Sequence, residues 1–259
     1  MGKAIIAQAV AGGRHSIAGG GTHSGSSDIG SDIGALAGLG QLGVALTADL
    51  AFATKHADAV IDFSRPEMTL SLLATLMKTP RPLVIGTTGF APEQLQKIHD
   101  AAKSMPIVLA PNTSLGVNML LGLVRETARI LGEEFDIEIV EMHHRNKVDA
   151  PSGTALALGK AAAEGRQVAL EKAAVYQRVG DTGKREPGTI GFATLRGGDV
   201  VGEHTVMFAN EGERVELSHI ATNRNIFAKG ALTAAEWVNG KKPGLYSMQD
   251  VLFGNRLYA

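Results

Sequence analysis

The chain has 259 residues, enough for one large domain or two medium ones with a sizeable core. Hydrophobic residues at 44% and charged residues at 20% form an ordinary globular balance that argues against disorder. With 25 basic and 26 acidic residues the net charge is -1, which gives no electrostatic case for nucleic acid or an anionic membrane, and the lack of cysteine excludes disulfides, thiolate metal sites and cysteine nucleophiles.

Apolar Ile5, Ile6, Ala9 and Val10 recur at helical spacing and predict a first helix over 3–11, stopped by Gly12-Gly13. Glycine is concentrated in 12–43, and the polar stretch from Gly19 to about Asp32 reads as a mobile loop. Val44 to Leu46 reads as a short strand and Asp49 to His56 as a helical turn or two. A regular alternation follows. Ala59–Phe63, Leu83–Ile85 and Ile107–Leu109 are buried-strand runs, separated by helices over Glu67–Met77 (Leu70, Leu73 and Met77 on one side) and from Pro92 to Lys103. Such spacing implies βαβ units, a parallel sheet and an α/β doubly wound layer.

The pattern changes after about residue 114. An amphipathic helix over Val117–Leu131 precedes a strand in which Phe135, Ile137 and Ile139 alternate with Asp136 and Glu138. A helix over Ser152–Glu164 follows, and 175–222 is strand-like, with turn signals at Gly183, Gly197-Gly198 and Gly212. These elements predict a second, α+β domain with a mixed, largely antiparallel sheet. The last helix, Phe227–Val238, returns to the first domain. No apolar run reaches the roughly 20 residues of a membrane span and no signal-peptide core is visible, so no membrane partner and a cytoplasmic location are expected.

The segment richest in chemistry runs Glu141-Met142-His143-His144-Arg145-Asn146-Lys147-Val148-Asp149-Ala150-Pro151-Ser152-Gly153-Thr154-Ala155, where a strand ends and a helix begins. Helix N-termini present unpaired N–H groups and a favourable dipole. Pro151 can open the helix, Ser152 can cap it, and Gly153 lets a ligand approach the backbone. Such an end suits a carboxylate or phosphate, and two histidines and a lysine just upstream can supply protons and positive charge. The plain alternative is a solvated charged loop. No metal is expected, since there is no cysteine and no HExxH spacing.

This run resembles the dihydrodipicolinate reductase signature, approximately E-x-H-H-x-x-K-x-D-A-P-S-G-T-A, at every fixed position. The resemblance continues in order through Val60–Glu67, Gly86–Phe90, Ala110–Asn118, Pro187–Phe192 and Gly202–Thr205. It implies a Rossmann-like dinucleotide-binding domain over 1–114, a substrate-binding and oligomerisation domain over 115–223, and a return to the first domain over 224–259. It further implies reduction of 4-hydroxy-tetrahydrodipicolinate, a small cyclic dicarboxylate, in diaminopimelate and lysine synthesis. NADH or NADPH gives hydride to C4, and a protein residue protonates the adjacent carbon. By position His143 matches the family's proton donor and acceptor, and Lys147 its second proton donor. His144 matches a substrate contact, and Gly153 and Thr154 match contacts to a substrate carboxylate. Gly86, Thr87 and Thr88, with Ala110, Pro111, Asn112 and Thr113, match cofactor contacts near the nicotinamide. His204 reads as a sheet residue without a catalytic role, and Arg224 as a residue able to face the cofactor. Family members are homotetramers built through the second-domain sheets, and that assembly is expected here.

The sequence departs from the family's pattern at two places. Members begin with a strand and a G-x-x-G-R-M-G turn, of which Met1-Gly2 matches only the tail. Either Met1 is the internal methionine of that turn, or the shortened chain is impaired in cofactor binding; the retained catalytic positions favour the first. The region Ala18–Ser24 also lacks the carboxylate that usually bonds the adenosine ribose, which removes a repulsion of NADPH and leaves His23 and Ser24 as candidate phosphate contacts. Two other readings stay open: a two-domain amino-acid dehydrogenase, and a dicarboxylate-binding remnant without catalysis.

Overall fold

The computed structural model describes residues 1–254. In chain order the first elements are α1 (Gly2–Gly12), β1 (Gly20–Gly21), α2 (Ile33–Leu36), β2 (Leu46–Thr47), α3 (Leu50–Thr54), β3 (Val60–Asp62) and α4 (Pro66–Leu76). They are followed by β4 (Leu83–Ile85), α5 (Pro92–Ala101), β5 (Pro106–Leu109), α6 (Leu115–Leu131), β6 (Asp136–His143) and α7 (Gly153–Gly165). The remainder comprises α8 (Leu170–Ala173), β7 (Ala174–Val175), β8 (Ile190–Arg196), β9 (Gly202–Asn210), β10 (Glu213–Ala221), α9 (Asn225–Val238), β11 (Gly244–Tyr246) and α10 (Met248–Phe253). The described residues divide into two compact units, one taking in 1–115 and 225–254, the other Gly116–Arg224. Among the described residues no helix is long and apolar enough to cross a membrane.

The first unit is built on a four-stranded, all-parallel sheet in the order β11-β5-β4-β3. Parallel strands covered on both faces read as continuous apolar runs, and Leu83, Val84 and Ile85 are all fully buried. Leu83, Ile85 and Ile107 pack with Leu72, Leu73 and Leu76 of α4 and Ile98 and Ala101 of α5. Val84 and Val108 point the other way, onto Ala234 and Val238 of α9 and Met248 of α10. Helices therefore cover both faces, as the doubly wound reading requires. A second sheet of this unit is the short parallel pair β1-β2.

Several details differ from the sequence reading. The buried line of α4 is Thr69, Leu72, Leu73 and Leu76, whereas Met77 lies past the helix and is exposed. The stretch expected as a mobile loop is tied at its far end by Asp32, whose carboxylate accepts the backbone N–H groups of Gly34, Ala35, Leu42, Gly43 and Val44. Strand β11 and helix α10 were not anticipated; β11 adds to the sheet beside β5.

The second unit carries a five-stranded mixed sheet in the order β10-β9-β6-β8-β7. Strand β6 runs parallel to β8 and antiparallel to β9, and β9 pairs antiparallel with β10. One face packs on α6 and α7 through Ile137, Ile139, Ile190, Phe192, Val206 and Phe208 against Leu120, Val124, Ala128, Leu158 and Ala162. The other face carries Val140, Met142, Leu195, Met207 and Ile220, of which Leu195 is 50% and Ile220 63% exposed. Residues 176–189, read as strand-like, form no strand.

Candidate active site

Strand β6 buries every second residue along its whole length: Ile137, Ile139, Glu141 and His143. The first two belong to the apolar core, so the same inward alternation carries Glu141 and His143 onto the core-facing side of the sheet. Across the ladders His204 of β9 and Thr194 of β8 lie opposite Glu141, and Arg196 of β8 lies opposite His143. The inner face thus changes from apolar to polar at the carboxyl end of β6. The segment from Glu141 to Ala155 spans the strand end and the helix start, as its sequence indicates, with His143 the last residue of the strand.

Glu141, 1% exposed, is the hub of this polar end. One carboxylate oxygen accepts the Ser152 backbone N–H at 3.0 Å and one Arg196 nitrogen at 2.9 Å. The other accepts the second terminal Arg196 nitrogen at 2.8 Å and lies 2.6 Å from His143 Nδ1. Burial alone would raise Glu141, but the hydrogen bonds from Arg196, His143 and Ser152 outweigh it and hold the carboxyl below the usual range. Burial lowers His143, and the charges of Lys147 and Arg196 act with it against the opposing pull of Glu141. The rings of His143 and His204 meet edge to face at 5.0 Å between centroids. Burial, and then the neighbouring His143, push His204 down to about 4.

The loop from His144 to Pro151 is pinned from below. His144 N–H donates to the Val200 carbonyl at 2.7 Å, Arg145 N–H to Gly198 at 3.2 Å, and Arg196 donates to the Asp149 carbonyl at 2.6 Å. Lys147 Nζ rests 2.8 Å from the Asp149 carboxylate. His144, Arg145, Asn146, Gly198, Asp199 and Arg224 line an open concavity of predominantly basic character. Helix α7 begins one step later than expected. Ser152 is its cap, accepting Ala155 N–H at 3.1 Å, and Pro151 precedes the cap. The same hydroxyl lies 3.0 Å from His204 Nε2, so His204 is a buried partner of the cap as well as a sheet residue. A Cβ on Gly153 would meet nothing within 4 Å, so packing does not demand glycine there and the helix end is left open. The second unit therefore brings His143, His144, Lys147, Gly153 and Thr154 onto one strand end, its following loop and the helix start.

In the first unit the expected cofactor residues fall on two adjacent turns. Gly86–Thr88 follows β4 and Ala110–Thr113 follows β5, and Ala110 N–H donates to the Ile85 carbonyl at 2.9 Å. Gly86 is required by packing, because a Cβ there would lie 2.3 Å from the Phe63 ring. The buried hydroxyls of Thr87 and Thr113 are engaged internally, Thr87 with Asp62 at 3.3 Å and Thr113 with the Phe227 carbonyl at 2.7 Å. Thr88 and Pro111 are exposed and Asn112 is half-buried. Ligands of open α/β sheets bind outside the carboxyl ends of the strands, and these two lightly substituted, polar turns at neighbouring strand ends fit the nicotinamide half of a dinucleotide.

Glu141 was legible as a member of the motif, and its place on the inward face follows from continuing the alternation of Ile137 and Ile139. Arg196 carried no local signal, since it joins Glu141 only across 55 positions of chain.

Comparison with known proteins identifies the family. A family model described as dihydrodipicolinate reductase, N-terminus, matches residues 1–113, and one described as dihydrodipicolinate reductase, C-terminus, matches 116–252. The 4-hydroxy-tetrahydrodipicolinate reductase of Parvibaculum lavamentivorans is 58% identical over 92% of this chain and 88% of its own length. That of Hahella chejuensis is 54% identical over 88% of this chain and 85% of its own. A solved dihydrodipicolinate reductase from Paenisporosarcina sp. TG-14, with dipicolinate bound, shares the fold at a TM-score of 0.76 and 22% identity, over 96% of this chain and 94% of that one. The chain belongs to the dihydrodipicolinate reductase family.

Proposed function

We infer that the chain reduces 4-hydroxy-tetrahydrodipicolinate to tetrahydrodipicolinate in diaminopimelate and lysine synthesis, using NADH or NADPH. The observation that carries this is the cluster of His143, Lys147 and the open start of α7 on one strand–loop–helix segment of a chain 54 to 58% identical to named reductases. The two compounds differ by a hydroxyl at C4: loss of that hydroxyl with a proton from the neighbouring carbon releases water and leaves a C=C bond, to which one hydride at C4 and one proton on the neighbouring carbon then add. The nicotinamide, when bound, supplies the hydride to C4. Everything else falls to the protein.

Gly153 and Thr154, at the N-terminus of α7, receive one carboxylate of the cyclic substrate, where the helix dipole and N–H groups favour negative charge. His144 contacts the substrate beside them. Lys147, parked on Asp149, turns its ammonium to the substrate and serves as second proton donor. His143 delivers the proton to the carbon next to C4, since its strand and its contact with Glu141 fix the ring. Gly86, Thr87, Thr88, Ala110, Pro111, Asn112 and Thr113 hold the nicotinamide end of the cofactor, the two buried threonines by shaping the turns.

The second-unit sheet leaves one face with Leu195 and Ile220 exposed and Met142 half-buried, and a homotetramer formed through that face would cover them. The reaction is placed in the cytoplasm, where reduced nicotinamide is regenerated. The test is nicotinamide oxidation by the purified chain with substrate generated in situ by a dihydrodipicolinate synthase, and dipicolinate added as competitor. Substrate-dependent oxidation that dipicolinate inhibits is expected. Dipicolinate binding without any turnover would replace this reading with the binding-remnant one.

A further inference from the structure

Glu141 is over-determined for a structural carboxylate. Four donors, from two other elements and from its own strand, converge on its two oxygens: Arg196 of β8 through both terminal nitrogens, the Ser152 N–H at the start of α7, and His143 Nδ1. A carboxylate facing four donors is an acceptor only, so the hydrogen of the 2.6 Å contact belongs to His143 Nδ1. Neutral imidazole then keeps its lone pair at Nε2, and imidazolium carries its second hydrogen there. In both states Nδ1–H stays with Glu141.

We propose that Glu141, clamped by Arg196, is a positioning residue that fixes the tautomer and ring orientation of His143, so that its proton exchange with the substrate takes place at Nε2. The proposal rests on the reading of His143 as the proton-transfer residue. Its stoichiometry is simple: the N–H bond at Nε2 breaks, a C–H bond forms on the carbon next to C4, and the lone pair left on Nε2 takes a proton from water afterwards.

The surroundings of Nε2 fit this role. Gly202, the first residue of β9, is the close neighbour there, and a Cβ on it would come within 2.9 Å of Nε2. The charged and titratable groups that face His143 are Glu141 on its own strand, Arg196 from β8, His204 from β9 and Lys147 from the following loop. Lys147, Arg196 and burial all oppose imidazolium, and Glu141 is the group that supports it. Arg196 has a second duty through its bond to the Asp149 carbonyl, which ties the loop bearing Lys147 to the same hub.

The proposal is tested by 15N NMR of the histidine-labelled protein, paired with kinetics of Glu141→Gln, Arg196→Lys, Arg196→Met and His143→Ala. In the unaltered protein His143 should show a protonated Nδ1 and an unprotonated Nε2 above its titration. Glu141→Gln presents an amide N–H₂ to at least one of those donors, so it should lose that preference, lower kcat by about 100-fold with KM held within about threefold, and move the His143-dependent limb of the pH profile to lower pH. Arg196→Lys, which cannot hold both oxygens, should retain more activity than Arg196→Met. An Nε2–H tautomer in the unaltered protein would overturn the proposal without any variant. So would normal kcat and pH profile in Glu141→Gln and Arg196→Met while His143→Ala is inactive. Full activity of His143→Ala is a different failure: it removes the reading of His143 itself.

Discussion

Gly202 stands against His143 so closely that a methyl group added to it would lie 2.9 Å from Nε2. The imidazole cannot retreat without stretching its 2.6 Å contact with Glu141. Gly202→Ala should therefore leave the fold intact and lower kcat by about tenfold or more, as expected when a reacting group is displaced by a fraction of an ångström. Steady-state turnover beside a thermal melt checks this; an unchanged kcat would mean that Nε2 does not need its present position.

His204 makes stability depend on pH. The unfolded chain takes up its proton near 6.5, whereas the folded chain does so only at about 4. Between those values the unfolded state binds more protons, so stability falls as pH drops, with about 3 kcal/mol at stake from this one group. His204→Gln, which keeps a polar atom for Ser152, should flatten the part of the curve between pH 6.5 and 4. Denaturant titrations of both proteins across that range measure the difference, and parallel curves would show that His204 is not responsible.

Gly230 of α9 packs on the turn expected to hold the nicotinamide: a Cβ there would lie 1.7 Å from the Thr113 carbonyl oxygen. Alanine at 230 improves helix propensity, yet backbone must move to admit it, also disturbing the Thr113 to Phe227 hydrogen bond. A net destabilisation of about 2 kcal/mol is expected, with a raised KM for the cofactor. Gly153→Ala is the control, because space at Gly153 is open and its stability cost should be small. Equal melting points for Gly230→Ala and the parent would refute the packing argument.

How much of this was visible in the chain depended on the reach of each signal. Short apolar runs bounded by Gly, Pro and Asn located β3, β4 and β5 within a residue or two, because parallel strands buried on both faces leave that mark. Period-2 alternation at Ile137 and Ile139 marked β6, and extending it two steps places Glu141 and His143 inward. Arg196 and His204 join the site through strand pairing over long separations, and nothing local distinguishes them from ordinary sheet residues. The Asp32 loop failed for a related reason: glycine-rich polar sequence predicts a lack of packing, but one carboxylate bonding several backbone N–H groups organises it without a core. Strand β11, Gly244-Leu245-Tyr246, opens on glycine and offers no run of branched apolar residues such as marks β3, β4 and β5.

The cofactor preference is open to a direct comparison. Strand β1 ends at Gly21, and Thr22, His23 and Ser24 follow it without a carboxylate. NADPH should thus bind at least as tightly as NADH, and His23→Asp should weaken NADPH selectively by restoring a negative charge near the 2′-phosphate. Tighter binding of NADH by the unaltered protein, measured by fluorescence titration, would contradict this.

The central claim is that the polar end of the second-unit sheet carries the proton chemistry of the reduction. Its most direct test is the steady-state turnover of the His143→Ala, Lys147→Ala double variant against the unaltered chain, in the same synthase-coupled assay, with folding verified by circular dichroism. The account predicts measurable turnover by the parent and a loss of about 1,000-fold in the folded double variant. A folded double variant turning over within about threefold of the parent would contradict it, and would place the proton source elsewhere.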